Sequence, residues 1–440
     1  MIIERKKSAV FAIAAISAAL ASAAGYAQES AADIQPATDT SRFVFNSLLF
    51  LFMGMVAMLM SAGFCMREAG LVRAKNAAAA CVKNIAVLAI AGLMTWLVGY
   101  NLIYDIEPGG LLGGFSVWVP DDSDPVGAGA AAGARWFFQM MFVAVAAFIA
   151  SGALAERARL WPFLIFATAL TGVIFPIEAS WVWGKGFLDE SFKFRDFAGA
   201  TVVHAAGGWA ALAGAIIVGP RAGKYAGGRV ASTPGSNLPA AALGAFFLWL
   251  GWFGLNGGSE LGLGAIADAV AISRIFVNTE IAAAAGVAAA MILTQIIYKK
   301  IDLAVVLSSA IGGLVSISGD PLHPAIWQAA IIGAFGGVIV TVGIPMLDRL
   351  RIDDVVGAIP AHLLCGVWGT FIVAWTNREA TVVGQIVGIL MIGAFVFVMS
   401  LLVWIILKYT VGVRVSPEAE QHGLDSAQLG VEAYSGLAQV

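Results

Sequence analysis

Eleven separate stretches of this chain read as apolar runs, most of about twenty residues, the length a helix needs to cross a bilayer. They lie near 43–66, 77–104, 135–156, 160–183, 197–219, 237–256, 275–298, 303–318, 324–346, 355–374 and 382–410. In lipid each span must satisfy its own backbone polar groups, and a helix does so. The whole chain agrees: hydrophobic residues make up 60 %, charged residues 12 %, and mean hydropathy is +0.87, far from the usual soluble balance. A soluble enzyme with an oversized core is the weaker reading.

Ahead of the first run, Arg5-Lys6-Lys7 is followed by a short apolar core from Ser8 to Leu20 and by the small residues of Gly25-Tyr26-Ala27. That pattern predicts a signal peptide over 1–27, with an uncleaved extra helix as the alternative. The basic residues then orient the spans. Arg67, Arg73 and Lys75 follow the first run, Arg157 and Arg159 the third, and Arg221, Lys224 and Arg229 the fifth. Lys299 and Lys300 follow the seventh, Arg349 and Arg351 the ninth, and Arg414 the last. The opposite loops are acidic or mixed, with Asp105, Glu107, Asp121, Asp122, Asp124, Asp189 and Glu190. The positive-inside rule therefore predicts an N-out, C-in topology.

Two distant segments share a skeleton. Asp196-Phe-Ala-Gly-Ala-Thr-Val-Val-His204-Ala-Ala-Gly-Gly208 and Asp354-Val-Val-Gly-Ala-Ile-Pro-Ala-His362-Leu-Leu-Cys-Gly366 both read Asp-x2-Gly-Ala-x3-His-x3-Gly. The chain has only four histidines, so an Asp followed eight residues later by a His, twice, is informative. An ionisable group inside a span marks a functional site by default, and a repeat with one His per copy points to a pathway between two related halves. Five spans per half is an odd number, so the second half is expected to lie inverted. Eight helical residues rise about 12 Å, which brings each imidazole from its own surface toward the midplane, where the two are expected to meet.

With these residues the chain resembles the ammonium transporter (Amt/Mep/Rh) family, from about residue 43 to Tyr434. Its most specific segments are Gly70-Leu-Val-Arg-Ala-Lys-Asn76, Gly152-Ala-Leu-Ala-Glu-Arg157, the Asp196–His204 segment, Gly251-Trp-Phe-Gly-Leu-Asn-Gly-Gly-Ser259 and the stretch from Asp353 to Gly369. The resemblance implies an all-α membrane protein of eleven transmembrane helices, two inverted five-helix repeats plus a final long helix. It also implies a homotrimer in the inner membrane, with one narrow hydrophobic pore per protomer and ammonium as substrate. The transmembrane domain would run over 28–412. Val413-Arg414-Val415-Ser416, Gly423-Leu424-Asp425 and Glu432-Ala433-Tyr434 resemble the family's cytoplasmic regulatory tail, over 413–440. That likeness implies contact with a neighbouring protomer and gating by a PII-type regulatory protein; a solvated, partly disordered tail is the alternative.

The residues themselves fit that chemistry. Trp183 presents a π face to a cation, although an interfacial Trp also serves as a membrane-belt anchor, for which Trp181 is the better candidate. Ser259 offers a hydroxyl acceptor. In the family the Trp, the Ser and the Phe matching Phe142 form an outer recruitment site. Phe142 also matches the outer of two stacked gate rings. The inner position is Leu255, a departure that implies a looser gate unless Phe253 or Phe138 compensates. His204 and His362 match the pore histidines. A neutral imidazole carries one donor and one acceptor, so two sharing a proton can line a dry conduit without charge. Sodium and potassium have no proton to lose, whereas ammonium can shed one and pass as ammonia. Hydrogen-bonded packing is the ordinary reading of a lone His in a span.

Asp196 reads as a helix N-cap, worth about 1 kcal/mol, and in the family also orders the vestibule and favours the cation; both hold together. Asp354 is expected to cap or anchor a loop. Some family members have another Asp where Gly357 stands. His323 and His422 look ordinary, and Cys65, Cys81 and Cys365 read as free packing thiols. No metal-ligand cluster, Walker sequence or other cofactor motif is present, a net charge of −3 gives no hint of nucleic acid, and no enzymatic activity is expected. The expectation is an inner-membrane ammonium transporter. It would recruit the cation, deprotonate it and pass it along a twin-His pore. A sensor with little conduction, which Leu255 favours, and an Rh-like neutral gas channel, which Trp183 and Ser259 count against, are the alternatives.

Overall fold

All eleven apolar runs fold as helices in the computed structural model, which describes residues 38–434; the segment read as a signal peptide lies outside the described residues. Ten are long and apolar enough to cross a membrane. They are α1 (Asp39–Leu71), α2 (Ala74–Tyr104), α3 (Pro125–Ala153), α4 (Leu160–Ser180), α5 (Ala200–Val218), α6 (Leu238–Gly258), α7 (Ile266–Tyr298), α9 (Ile326–Arg349), α10 (Ile359–Thr376) and α11 (Val382–Thr410). Between α7 and α9 lies α8 (Leu303–Ile317), shorter at 15 residues. Most ends fall within a few residues of the hydropathy reading. The exceptions are α3, which starts at Pro125 rather than near 135, and α7, which starts at Ile266 rather than near 275 and where Asp268 reaches back to accept from the Gly264 and Ala265 N–H groups at 2.8 and 2.9 Å. Hydropathy misses this start of α7 since Asp268, Ser273 and Arg274 interrupt its apolar residues. Among the described residues the only β pairing is a single bridge, Ala158 with Arg414.

Small residues set how closely these helices approach. A Cβ added at Gly244 of α6 would fall 2.4 Å from the Arg67 nitrogen of α1, and one at Gly254 2.6 Å from that of Ala57. In the second half, Gly333 of α9 would place one 2.0 Å from the Ala282 carbonyl of α7. Backbones therefore touch along α1–α6 and α7–α9, which is how helices gain packing energy where lipid is as apolar as leucine. The centre belongs to α3, buried from Met140 to Ala153, and to α5. The outward faces of α1, α7 and α11 carry exposed Leu48, Phe52, Ile292, Ile296, Leu390 and Leu402, as a lipid-facing surface requires.

A polar network closes the end rich in Arg and Lys. The buried Asp353 carboxylate accepts three bonds from Arg221, its backbone N–H, Nε and Nη2, each at 2.8 Å. The buried Arg157 guanidinium donates to the carbonyls of Asp353 (2.6 Å) and Gly219 (2.8 Å). Glu156 pairs with Arg73 and lies 3.5 Å from Arg221. The described part of the tail docks on this end rather than standing in solvent. The Asp425 carboxylate accepts from the Ala78 and Ala79 N–H groups, capping the first turn of α2 from outside it, and Asn76 accepts from the Leu424 N–H at 2.9 Å. Glu420 accepts from the Ala222 N–H and pairs with Arg414 at 2.8 Å.

Burial alone would raise the Asp353 carboxyl, but the Arg221 hydrogen bonds and the Arg157 charge outweigh it and hold it at about 2. Arg221→Ala is expected to cost about 3–5 kcal/mol, since it strands a buried carboxylate. A folded value below the unfolded one of about 3.9 means that this stabilisation is complete above pH 4 and is lost as pH falls through about 2. Melting of wild type and variant in detergent should show a constant gap at pH 5 to 8 that narrows only in strong acid; equal melting temperatures at neutral pH would refute the assignment.

Candidate functional site

Each copy of the repeated skeleton builds the same local device. Gly199 and Gly357 sit at φ 90° and 70°, the left-handed region that glycine enters without cost. A Cβ at Gly199 would also fall 2.4 Å from Cγ2 of Val203. A π-helical turn follows, Ala200–Ala205 in one copy and Ile359–Leu364 in the other, and each turn carries one histidine. Such turns are rare and recur at functional positions.

The two π turns bring the histidines together. His204 and His362 are 0 and 1 % exposed, and their Nδ1 atoms lie 3.3 Å apart, with ring centroids at 5.3 Å and planes 33° apart. At that distance the Nδ1–H of one neutral ring is able to donate to the bare Nδ1 of the other. Neither ring faces a carboxylate. The His204 Nε2 is buried without a protein partner. Trp252 stacks on the His204 ring at 4.7 Å and 23°, and its own Nε1–H donates to the Ser318 hydroxyl at 2.8 Å, which locks the indole. Phe64 flanks His362 at 6.0 Å.

Sequence reasoning passed over Trp252. The available signal was helical spacing: Trp252, Leu255 and Ser259 stand at i, i+3 and i+7 on one face of α6. The face carries, in order, the Ser259 hydroxyl, the fully buried Leu255, and the indole over His204. The Ser259 Oγ–H donates to the Leu255 carbonyl at 2.8 Å, which leaves the oxygen lone pairs for another donor.

Beside this column lies an aromatic group. Phe142, 2 % exposed, meets the half-buried Trp183 edge-on at 5.2 Å, and Trp183 Nε1–H donates to the Asp196 carbonyl at 3.1 Å. Phe138 packs edge-on against Phe142 at 5.1 Å and crowds Gly258 of α6, whereas Phe253 pairs with Phe276 at 5.0 Å. Of the two aromatics considered beside Leu255, Phe138 is the one in contact with the Phe142 ring. Trp181 corrects an expectation. At 7 % exposure it is buried against Phe187 and Phe395 and donates to the Leu111 carbonyl, so it is a packing residue rather than a belt anchor.

Asp196 is more than an ordinary cap. Oδ1 accepts from the Gly199 and Ala200 N–H groups and Oδ2 from those of Thr201 and Val202, at 2.7 to 3.2 Å. Burial pushes its carboxyl up to about 6 against the pull of those four bonds. Asp354 caps its own turn less fully, Oδ2 accepting from the Ile359 N–H at 2.7 Å. His323 lies away from the histidine pair, with Nδ1 2.8 Å from the Asp320 carboxylate, whose bond raises the imidazole above its usual range. The three cysteines are free thiols, and no group of three metal-ligating side chains occurs among the described residues.

The chain matches the family model described as the Ammonium Transporter Family over residues 48–434. It is 38 % identical over 396 residues to a putative ammonium transporter of Synechocystis, covering 88 % of this chain and 89 % of that protein. With the ammonium transporter Amt2 of Archaeoglobus fulgidus it shares 36 % identity over 414 residues, 87 % of each chain. A solved structure described as a sensor Amt protein superposes with a TM-score of 0.83 at 32 % identity, over 89 % of this chain and all of that one (100 %). Mep2 of Candida albicans superposes at 0.77 with 24 % identity, over 87 % and 88 %, a likeness of fold alone.

Proposed function

Because the chain belongs to the ammonium transporter family, we propose that this multi-pass membrane protein moves ammonium by recruiting the cation, removing its proton and passing ammonia along the paired histidines. Trp183, Ser259 and Phe142 would receive the cation: an indole face supplies the attraction, and a hydroxyl with free lone pairs accepts an N–H. Asp196 holds the adjoining turn and adds a negative charge behind it. Phe142 and Leu255 would form the gate that strips water. Beyond them, the shared proton of His204 and His362 gives ammonia a partner at every step, and nothing there balances a permanent cation. The contact that carries this reading is the buried Nδ1···Nδ1 approach of 3.3 Å.

The orientation is proposed to be N-out, C-in in the inner membrane, with α1–α5 and α6–α10 as inverted halves, α8 crossing despite its length, and three protomers per assembly. The distribution of Arg and Lys supports the orientation. The matched Asp–Gly–π-turn–His devices support the two halves. A docked tail resting on α2 through Asp425 is the surface on which a PII-type regulator would act. A second reading, a sensor that binds ammonium and conducts little, draws on Leu255 in place of a gate ring and on the sensor Amt protein as a structural neighbour. The neutral gas channel is disfavoured by the Trp183–Phe142–Ser259 group.

Solid-supported-membrane recording on the reconstituted full chain separates the three. Ammonium-dependent current is the expected result, binding without flux would turn the assignment to the sensor, and flux without current to the gas channel.

A further inference from the structure

A short loop, Ser318 to His323 between α8 and α9, touches three of the elements that build the pore. The Ser318 hydroxyl accepts from the Trp252 indole at 2.8 Å and donates its own O–H to the Leu314 carbonyl at 2.8 Å. The Ser318 and Gly319 carbonyls accept from the Ala198 and Phe197 N–H groups, at 2.9 and 2.8 Å, within the turn that Asp196 begins. A Cβ at Gly319 would fall 2.5 Å from the Gly369 carbonyl of α10, so the loop lies directly against the helix of His362.

One side chain ties this loop down. Asp320 is only 3 % exposed. Its Oδ1 accepts from the Leu322 and His323 N–H groups at 3.1 and 3.0 Å, and its Oδ2 from Asn377 Nδ2 at 2.9 Å. His323 Nδ1 meets the same Oδ2 at 2.8 Å. Asn377 follows the last turn of α10, so one carboxylate joins the ends of α8 and α10. A buried carboxylate is tolerated where its donors are complete, and a charged donor gives a bond roughly twice as strong as a neutral one. Among these donors the half-exposed His323 ring is the one that titrates. The other charges that bear on it are Glu379 beyond α10, Arg274 of α7, which donates to the His323 carbonyl at 3.3 Å, and Glu260, the neighbour of Ser259.

We propose that Asp320 is a further positioning residue for conduction and His323 its contact with solvent, the two together fixing the loop that seats the Trp252 indole over His204 and the turn of Asp196. This control rests on the conduction reading and deepens it. The Asp320 bond outweighs half-burial and lifts the imidazole above its usual 6.5, so in mild acid the tie is an ion pair. As pH rises past that range the ring keeps an Nδ1–H for Asp320 but loses its charge. The bond weakens, the loop gains freedom, and the indole is held less firmly over a ring that discriminates against potassium.

At saturating ammonium, the ratio of ammonium to potassium current in the reconstituted full chain is expected to fall about fivefold as pH rises from 6 to 8.5, the difference between a charged and a neutral hydrogen bond. His323→Gln keeps a neutral donor and should stay at the lower level throughout, whereas His323→Lys keeps a charge and should stay at the upper one. A level ratio in the wild type, or a step that survives in His323→Gln, would overturn the control. Melting in detergent reads the tie without transport. A raised imidazole stabilises the fold below about pH 6.5 and ceases to do so as pH rises through its folded value. Wild type should therefore melt above His323→Gln at pH 6, with the gap narrowing toward pH 8.5. Equal melting at pH 6 sinks the tie, and a melting gap without any change in current ratio overturns the positioning role. If the protein moves no ammonium, the conduction reading fails while the melting gap still judges the tie.

Discussion

His204→Ala is expected to lower the ratio of ammonium to potassium current by about two decades. The ring is one half of a buried polar pair, and removing it has two consequences. His362 Nδ1 loses its partner at 3.3 Å, and ammonia crossing that level loses a group worth about 2–3 kcal/mol in a dry setting, roughly two powers of ten in rate. If the vacated space takes up water, bounded as it is by His362 and a bare indole face, potassium gains a hydrated path. Either way the discrimination collapses. The fold should survive, because Trp252 stays fixed by Ser318 and α5 keeps its cap. Currents in ammonium and in potassium, recorded on wild type and variant at matched protein load, decide it; an unchanged ratio would remove the histidines from the mechanism.

Asp196→Ala is expected to lower stability by about 3–5 kcal/mol. A single N-cap is worth about 1 kcal/mol, but here one side chain serves four consecutive N–H groups in a region closed to water. The first N–H groups of a helix have no partner within it, so each would be left unmet at about 1 kcal/mol or more. Asp196→Asn, which keeps one acceptor oxygen, is expected to lose about half as much. The charge has a separate signature. Because burial lifts the carboxyl to about 6, it takes up a proton as pH falls through that value. Apparent affinity for ammonium should therefore weaken below pH 6 in wild type and stay level in Asp196→Asn. An alanine variant that melts with wild type would show the cap to be dispensable.

Much of this was visible before any coordinates. Hydropathy placed eleven helices because each span must meet its own solvent requirement locally, and the spacing from Asp to His marked both special turns because a cap, a glycine and a histidine all act within one turn of helix. Trp252 escaped that reading, being one aromatic among many apolar neighbours. Its role exists only because α6 is rotated to lay the indole over a ring carried by α5. Trp181 went the other way: from sequence it resembled a belt residue, and packing against α11 buried it. Where the tail docks was not legible in the sequence, since Asp425 finds its N–H partners on α2, hundreds of positions away, at Ala78 and Ala79.

The sequence by itself determined the solvent of the protein, where its long apolar helices lie and the two turns that hold a histidine, all of them properties of short windows. Only the tertiary structure decided that rings 158 positions apart meet at 3.3 Å and that Phe138 rather than Phe253 meets Phe142. The reason is geometric: hydropathy specifies that a helix lies in the membrane but not its rotation about its own axis, and contacts between side chains depend on that rotation, which is set where glycines let one backbone settle against another.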